Sequence, residues 1–308
     1  MNKELINSNK EKLNNLLNEE HAGFMGNTHW LMTMAIFFLM WIIPWQFSKD
    51  FISSINSSKI FIFLVFLIIG GASLIPDLDS NPLQGGGSTA IYQLGILGEL
   101  LSLLEITISG VVYGIFHTKY DKKPESQHRM LFHAPIIPIV IYFYTIYKIP
   151  DSSSTLKDNL NFENAGIIFL AFCCACAIYL GSNMLIYKIL KLIRKQGSTQ
   201  FICLGIMVIS IIMLLTLPYS RLKLLFKAFS LGYLFHIIED VFSKGSAPLF
   251  FPIPIPVSLK KLTHFRLWWH PYFISSKFTI TTGGIMNIIL NYIMMGIDLI
   301  LAWYVFAK

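Results

Sequence analysis

The sequence predicts an all-α fold: a polytopic membrane helical bundle of about seven transmembrane helices, plus a re-entrant or interfacial helix at 91–116. Three observations lead there. Hydrophobic residues make up 54% of the 308 positions and charged residues only 13%, against about a quarter charged in a soluble domain. The mean hydropathy is +0.60. The apolar residues are also gathered into runs of the length needed to cross about 30 Å of hydrocarbon, roughly 20 residues each.

Seven of these runs read as spans, at 31–47, 59–76, 131–149, 164–187, 201–218, 225–243 and 285–307. Before them, residues 1–28 are polar and carry Lys3, Lys10, Lys12, Glu19 and Glu20. That is a polar cytoplasmic N-terminal segment rather than a cleavable leader, so residues 29–308 form a single membrane-embedded domain. The eighth run, 91–116, follows the Gly-Ser-rich QGGGST and contains Glu99 and Glu105, which are costly inside a bilayer. If it does not cross, the starts of 31–47 and 131–149 share one side with the ends of 59–76 and 225–243. That side then holds 16 of the 24 lysines and arginines, and the positive-inside rule makes it cytoplasmic. An eight-span count divides them 15 to 9, so charge alone does not separate the two.

The net charge of +7 fits basic cytoplasmic loops; no basic stripe with interleaved aromatics points to nucleic acid. Cys173, Cys174, Cys176 and Cys203 lie inside apolar runs without zinc-finger spacing and read as packing residues.

Four polar clusters fall at the shared side. NTHW places His29 at the mouth of the first span. IPDLDS closes the second with Asp77 and Asp79, which an extended turn after Pro76 would point inward together. QHRMLFH opens the third with His128, Arg129 and His133, and GYLFHIIEDVFSKGSAP closes the sixth with His236, Asp240 and Ser243. His236 and Asp240, four apart, share a helix face, and so would Arg129 and His133. Singly, each cluster has a bland reading as an interfacial polar cap or exposed turn. Together, the candidate metal ligands His29, Asp77, Asp79, His128, His133, His236 and Asp240 are carboxylates and imidazoles, which suit Zn, with Mn or Fe as alternatives. Seven ligands exceed one tetrahedral site, so one or two divalent ions are expected. Such a pair activates water and clamps phosphoester oxygens, and Arg129 would hold a phosphate bidentately. His21 is the alternative to His29 as first ligand. His117, His264 and His270 are unassigned, and Glu99 and Glu105 are either second partners of the ligands or snorkelling side chains. The four prolines of PLFFPIPIPVSL, Pro248 to Pro256, exclude a regular helix and read as an extended interfacial loop.

Taken in order, these motifs resemble the YdjM-like family of bacterial inner-membrane proteins, regarded as metal-dependent hydrolases. The shared pattern is an early T-H, then L-x-P-D-x-D, then H-R-x-x-x-H, then G-x-x-x-H-x-x-x-D-x-x-T/S-x-x-G. The resemblance implies metal ligation by the seven residues above and active-site roles for Arg129 and Ser243. Met130 stands where the family often has Gly, and Phe132-His133-Ala134 where it has Thr-His-Ser, which implies a different placement of water or ligand. A more distant similarity to zinc-dependent phospholipase C favours phosphoesters. The expected function is a membrane-embedded metal-dependent hydrolase in the bacterial cytoplasmic membrane. It would cleave a phosphoester of a lipid or lipid-linked substrate with a metal-activated water at the cytoplasmic face. The alternatives are a transporter or permease, and a non-catalytic scaffold with a structural metal site.

Overall fold

In the computed structural model the described residues are 21–22, 26–43, 46–55, 58–79, 93–116, 131–193, 198–241, 281–282 and 285–307. They are mostly helical, with one two-residue pairing of His21–Ala22 with Thr281–Thr282 and a loop after the fifth helix that makes an isolated bridge, Thr155 to Pro218. The helices are α1 (Gly26–Ile42), α2 (Gln46–Ile55), α3 (Lys59–Ala72), α4 (Ile96–Phe116), α5 (Ile136–Lys148), α6 (Ala165–Ile193), α7 (Ser198–Thr216), α8 (Tyr219–Val241) and α9 (Ile285–Ala307).

Local chemistry sets several boundaries away from the apolar runs. The first run ends as a helix at Ile42 rather than at 47, because Pro44 supplies no N–H and disfavours helix in the residue before it. The chain then forms α2, a short helix the apolar pattern did not announce: its sequence QFSKDFISSI alternates polar and apolar faces. The third run is helical only from Ile136, after Pro135 at the N-cap, and residues 131–135 are turn. His133 therefore lies on a turn, and its four-residue spacing from Arg129 does not place the two on one helix face. Pro76–Asp79 is a 3-10 turn, not an extended one.

Among the described residues, three segments are long and apolar enough to span a membrane: Lys59–Leu78, Ile96–Ile115 and Phe162–Leu185. Seven were expected from the sequence. The difference lies in length and charge. At 13 residues α5 rises only about 20 Å, α1 has 17 residues, α8 carries Arg221, Lys223, Lys227, Glu239 and Asp240, and in α7 and α9 the described side chains cover only Gly205–Thr216 and Ile289–Val305.

The core is built on α3, α6 and α8, whose backbones touch. A Cβ at Gly71 would overlap the carbonyl of Ala177, one at Gly181 the carbonyl of Leu67, and one at Gly232 the carbonyl of Ile69. Small residues at such crossings let helices pack on dispersion where lipid offers no hydrophobic drive. Around this centre α1 packs on α3 and α9, and α5 on α8. Thr28 Oγ1 donates to Asn291 Oδ1 at 2.8 Å, tying the start of α1 to α9. Cys174 and Cys176 are buried in the same core, as packing residues would be.

The connections define two ends. At one, the loop after α5 receives hydrogen bonds from the start of α8, Tyr219 N to Ser154 O and Ser220 N to Ser152 O; α2 joins α1 to α3 there. At the other lie the start of α1, the end of α3, the turn before α5 and the end of α8. Gln93, ahead of α4, accepts from Tyr179 and donates to Met184 on the later half of α6. The last turns of α4 pack Val112 and Tyr113 against Ala134. Gly98, Ser102, Glu105 and Ser109 face inward, while Leu100, Leu103, Val111 and Ile115 are exposed.

Gly71→Ala is expected to destabilise the fold by about 2 kcal/mol through overpacking. Gly205→Ala, whose Cβ meets nothing within 4 Å, should stay within about 0.5 kcal/mol of wild type. Thermal melts in detergent compare them; equal melting points would show that the α3–α6 contact is not tight.

Candidate metal centre

Four chain segments meet at one end of the bundle. From α8 come His236 and Asp240, one turn apart and both fully buried. His29 comes from the first turns of α1, fully buried, and its ring stacks on His236 with centroids 4.0 Å apart. His133 comes from the turn before α5 and is also fully buried. Asp77, on the 3-10 turn after α3, is the most open of the set, with its side chain 16% exposed.

Each imidazole is held through Nδ1. His29 Nδ1 donates to Glu239 Oε2 at 2.8 Å, His133 Nδ1 to Asp240 Oδ2 at 2.6 Å, and His236 Nδ1 to the Ser73 carbonyl at 2.7 Å. With that proton placed, the lone pair of each ring is on Nε2, the usual arrangement for a metal-ligating histidine with a carboxylate or carbonyl behind it. The Nε2 atoms face the carboxylates: His29 Nε2 is 3.6 Å from Asp240 Oδ1, His236 Nε2 is 3.4 Å from Asp240 Oδ2 and 3.7 Å from Asp77 Oδ1, and His133 Nε2 is 3.9 Å from Asp77 Oδ1.

Those separations fit a metal. Tetrahedral bonds of about 2.0–2.2 Å set neighbouring donor atoms roughly 3.3–3.6 Å apart. Two triads come near that spacing, His29–His236–Asp240 and Asp77–His133–His236, each with donor atoms within 4.8 Å of one another. They share His236. The donor set contains imidazole and carboxylate and no thiolate.

Of the sequence candidates, the structure brings together His29, Asp77, His133, His236 and Asp240. Asp79 shares the 3-10 turn, but its side chain lies outside the described residues, as do His128, Arg129, Ser243 and the proline segment. His21 is described only through its backbone pairing with Thr282. Glu99 is exposed and Glu105 half-buried.

Sequence reasoning missed Glu239. It is 1% exposed and holds two residues of α1, His29 through one oxygen and Thr33, whose Oγ1 donates at 2.8 Å, through the other. The signal was present: Glu239 is three residues from His236, hence near the same helix face, in an apolar run where a carboxylate needs a partner. The turn carrying His133 is pinned by Tyr233 Oη, which donates to the Phe132 carbonyl at 2.8 Å.

Comparison with known proteins adds no relative: no protein-family model, no curated protein and no solved structure matches the chain.

Glu239→Gln should weaken metal binding roughly 10–100-fold, the usual effect of altering a partner behind a ligating imidazole. Titration of the metal-stripped protein with Zn²⁺, followed by competition with a chelating dye, reads this directly. An unchanged affinity would remove Glu239, and with it His29, from the centre.

Proposed function

We propose that this chain is a multi-pass membrane hydrolase whose buried centre holds one or two divalent ions and cleaves a phosphoester of a lipid or lipid-linked substrate. The observation that carries the reading is the pair of triads sharing His236, with all three imidazoles held through Nδ1 from behind. The resemblance to the YdjM-like family belongs to the same proposal.

In this reading α1, α3, α5, α6, α7, α8 and α9 cross the bilayer, and α4 lies along the centre's end without crossing. The contacts at both ends of α4 support that placement. Sixteen of the 24 lysines and arginines then fall on the side of the centre, which puts it at the cytoplasmic leaflet. Imidazole and carboxylate donors favour Zn, with Mn or Fe as alternatives.

His236, with Nδ1 on the Ser73 carbonyl, has one lone pair and would ligate one ion, either with His29 and Asp240 or with Asp77 and His133; a second ion would fall to the remaining carboxylate and imidazole, with Asp79 and His128 completing the set. A bound divalent ion supplies Lewis acidity toward phosphoryl oxygens and a water of lowered pKa. Arg129 binds the substrate phosphate through two parallel N–H donors, and Ser243 positions it. Glu239, Asp240 and the Ser73 carbonyl keep the imidazole protons on Nδ1, so the Nε2 atoms stay available as donors. The substrate's apolar part remains in the leaflet beside the bundle.

A permease is the second reading, and one observation favours it. Asp298 on α9 is 8% exposed, and neither carboxylate oxygen has a hydrogen-bond partner among the described residues. A third reading, a scaffold with a structural metal, requires coordination closed to substrate.

Metal analysis of detergent-purified protein by mass spectrometry tests the proposal. Wild type should carry one or two Zn, Mn or Fe ions per chain. His236→Ala should carry at least one ion fewer, because both triads draw on its single Nε2 donor. If two ions bind, His29→Ala and Asp77→Ala should each retain one. Phosphate release from lipid phosphoesters should stop on chelation. A wild type without metal sinks the proposal; metal with no hydrolysis but with uptake into proteoliposomes favours the permease.

A further inference from the structure

A cavity of about 500 Å³ lies between α1, α2, α5 and α8, in the half of the bundle away from the metal centre. Its volume is within the range of small-ligand sites. Its upper wall is apolar, with Met40 from α1, Ile139 and Phe143 from α5, and Leu231 and Leu234 from α8. Ile139 and Phe143 are 45% and 50% exposed, so the cavity opens sideways through the outer face of α5. In a membrane-embedded bundle that face meets acyl chains rather than water.

The lower part is polar. Lys227 lines it from α8, Asp50 and Ser54 from α2. A lysine on a helix inside a bilayer is expensive unless it faces a polar partner or reaches the interface. Among the described residues Lys227 makes no ion pair with any carboxylate, Asp50 included. One cation and one anion lining an otherwise largely apolar, laterally open cavity match the two charges of a zwitterionic head: a phosphate for Lys227 and an ammonium for Asp50.

We propose that this cavity binds one phospholipid of the leaflet opposite the metal centre, with an acyl chain against Leu231, Leu234 and Ile139 and an ethanolamine-type headgroup between Lys227 and Asp50. The inference rests on the chain being embedded in a membrane and not on the metal reading.

Native mass spectrometry of the full chain in detergent tests this with three probes: dioctanoyl phosphatidylethanolamine, dioctanoyl phosphatidylglycerol and dioctanoylglycerol. Wild type should retain one phosphatidylethanolamine per chain, in preference to the other two. Leu231→Trp, which fills the cavity, should lose it; Ile139→Trp at the lateral opening does the same if the first variant fails to fold. Lys227→Met should weaken phosphatidylethanolamine retention about tenfold, the scale of one charged hydrogen bond, and leave dioctanoylglycerol unchanged. Asp50→Asn should erase the preference over phosphatidylglycerol. Equal retention by wild type and a folded Trp variant would mean an adventitious additive only. Equal retention of all three probes by wild type would overturn the headgroup assignment. Metal content measured on the same samples should be unaffected, which separates failure of this proposal from failure of the metal reading.

Discussion

Asp240 is a fully buried carboxylate, and the surrounding structure is organised to make that burial tolerable. Removing such a group from water costs several kcal/mol after relaxation. Its Oδ2 accepts from His133, and its Oδ1 lies 3.6 Å from His29 Nε2, a separation that suits a cation held between the two. Glu239, the next residue back, is buried as deeply and is met by His29 and Thr33. These contacts bring the first turns of α1 and the turn ahead of α5 onto the last turns of α8, and the hydrogen bond of His236 to the Ser73 carbonyl adds the end of α3. That convergence fixes one end of the bundle.

The glycine contacts explain how the convergence is held. Gly71, Gly181 and Gly232 let α3, α6 and α8 approach to backbone contact. This sets the height of Ser73 against His236, and the hydrogen bond between them follows. The imidazole and carboxylate groups are thus carried on rigid helices and tight turns, the arrangement that holds donor atoms to within fractions of an ångström.

Much of this was legible in the sequence because charge inside an apolar run is costly. His29, Asp77, His133, His236 and Asp240 stood out at the ends of such runs, and the structure places them together. Glu239 escaped notice because its neighbour Asp240 completed the H-x-x-x-D spacing, and its partner Thr33 lies 206 residues away. Backbone acceptors such as the Ser73 carbonyl leave no trace in side-chain patterns. The boundaries at Pro44 and Pro135 were readable from proline chemistry, yet the apolar runs continue across both. α2 was missed because a short amphipathic helix resembles a polar connection. Ile96–Ile115 in α4 is long and apolar enough to span a membrane, and its packing against the turn of Asp77 is a contact that composition does not announce.

The account's central claim is that imidazoles and carboxylates from four segments bind a metal together. X-ray absorption at the metal edge of the loaded protein addresses it most directly. The account predicts a shell of nitrogen and oxygen at about 2.0–2.2 Å with imidazole scattering, and no sulfur. A second ion would add a metal–metal vector of roughly 3.5–4 Å. A sulfur shell near 2.3 Å, or an ion surrounded by oxygen alone, would contradict it.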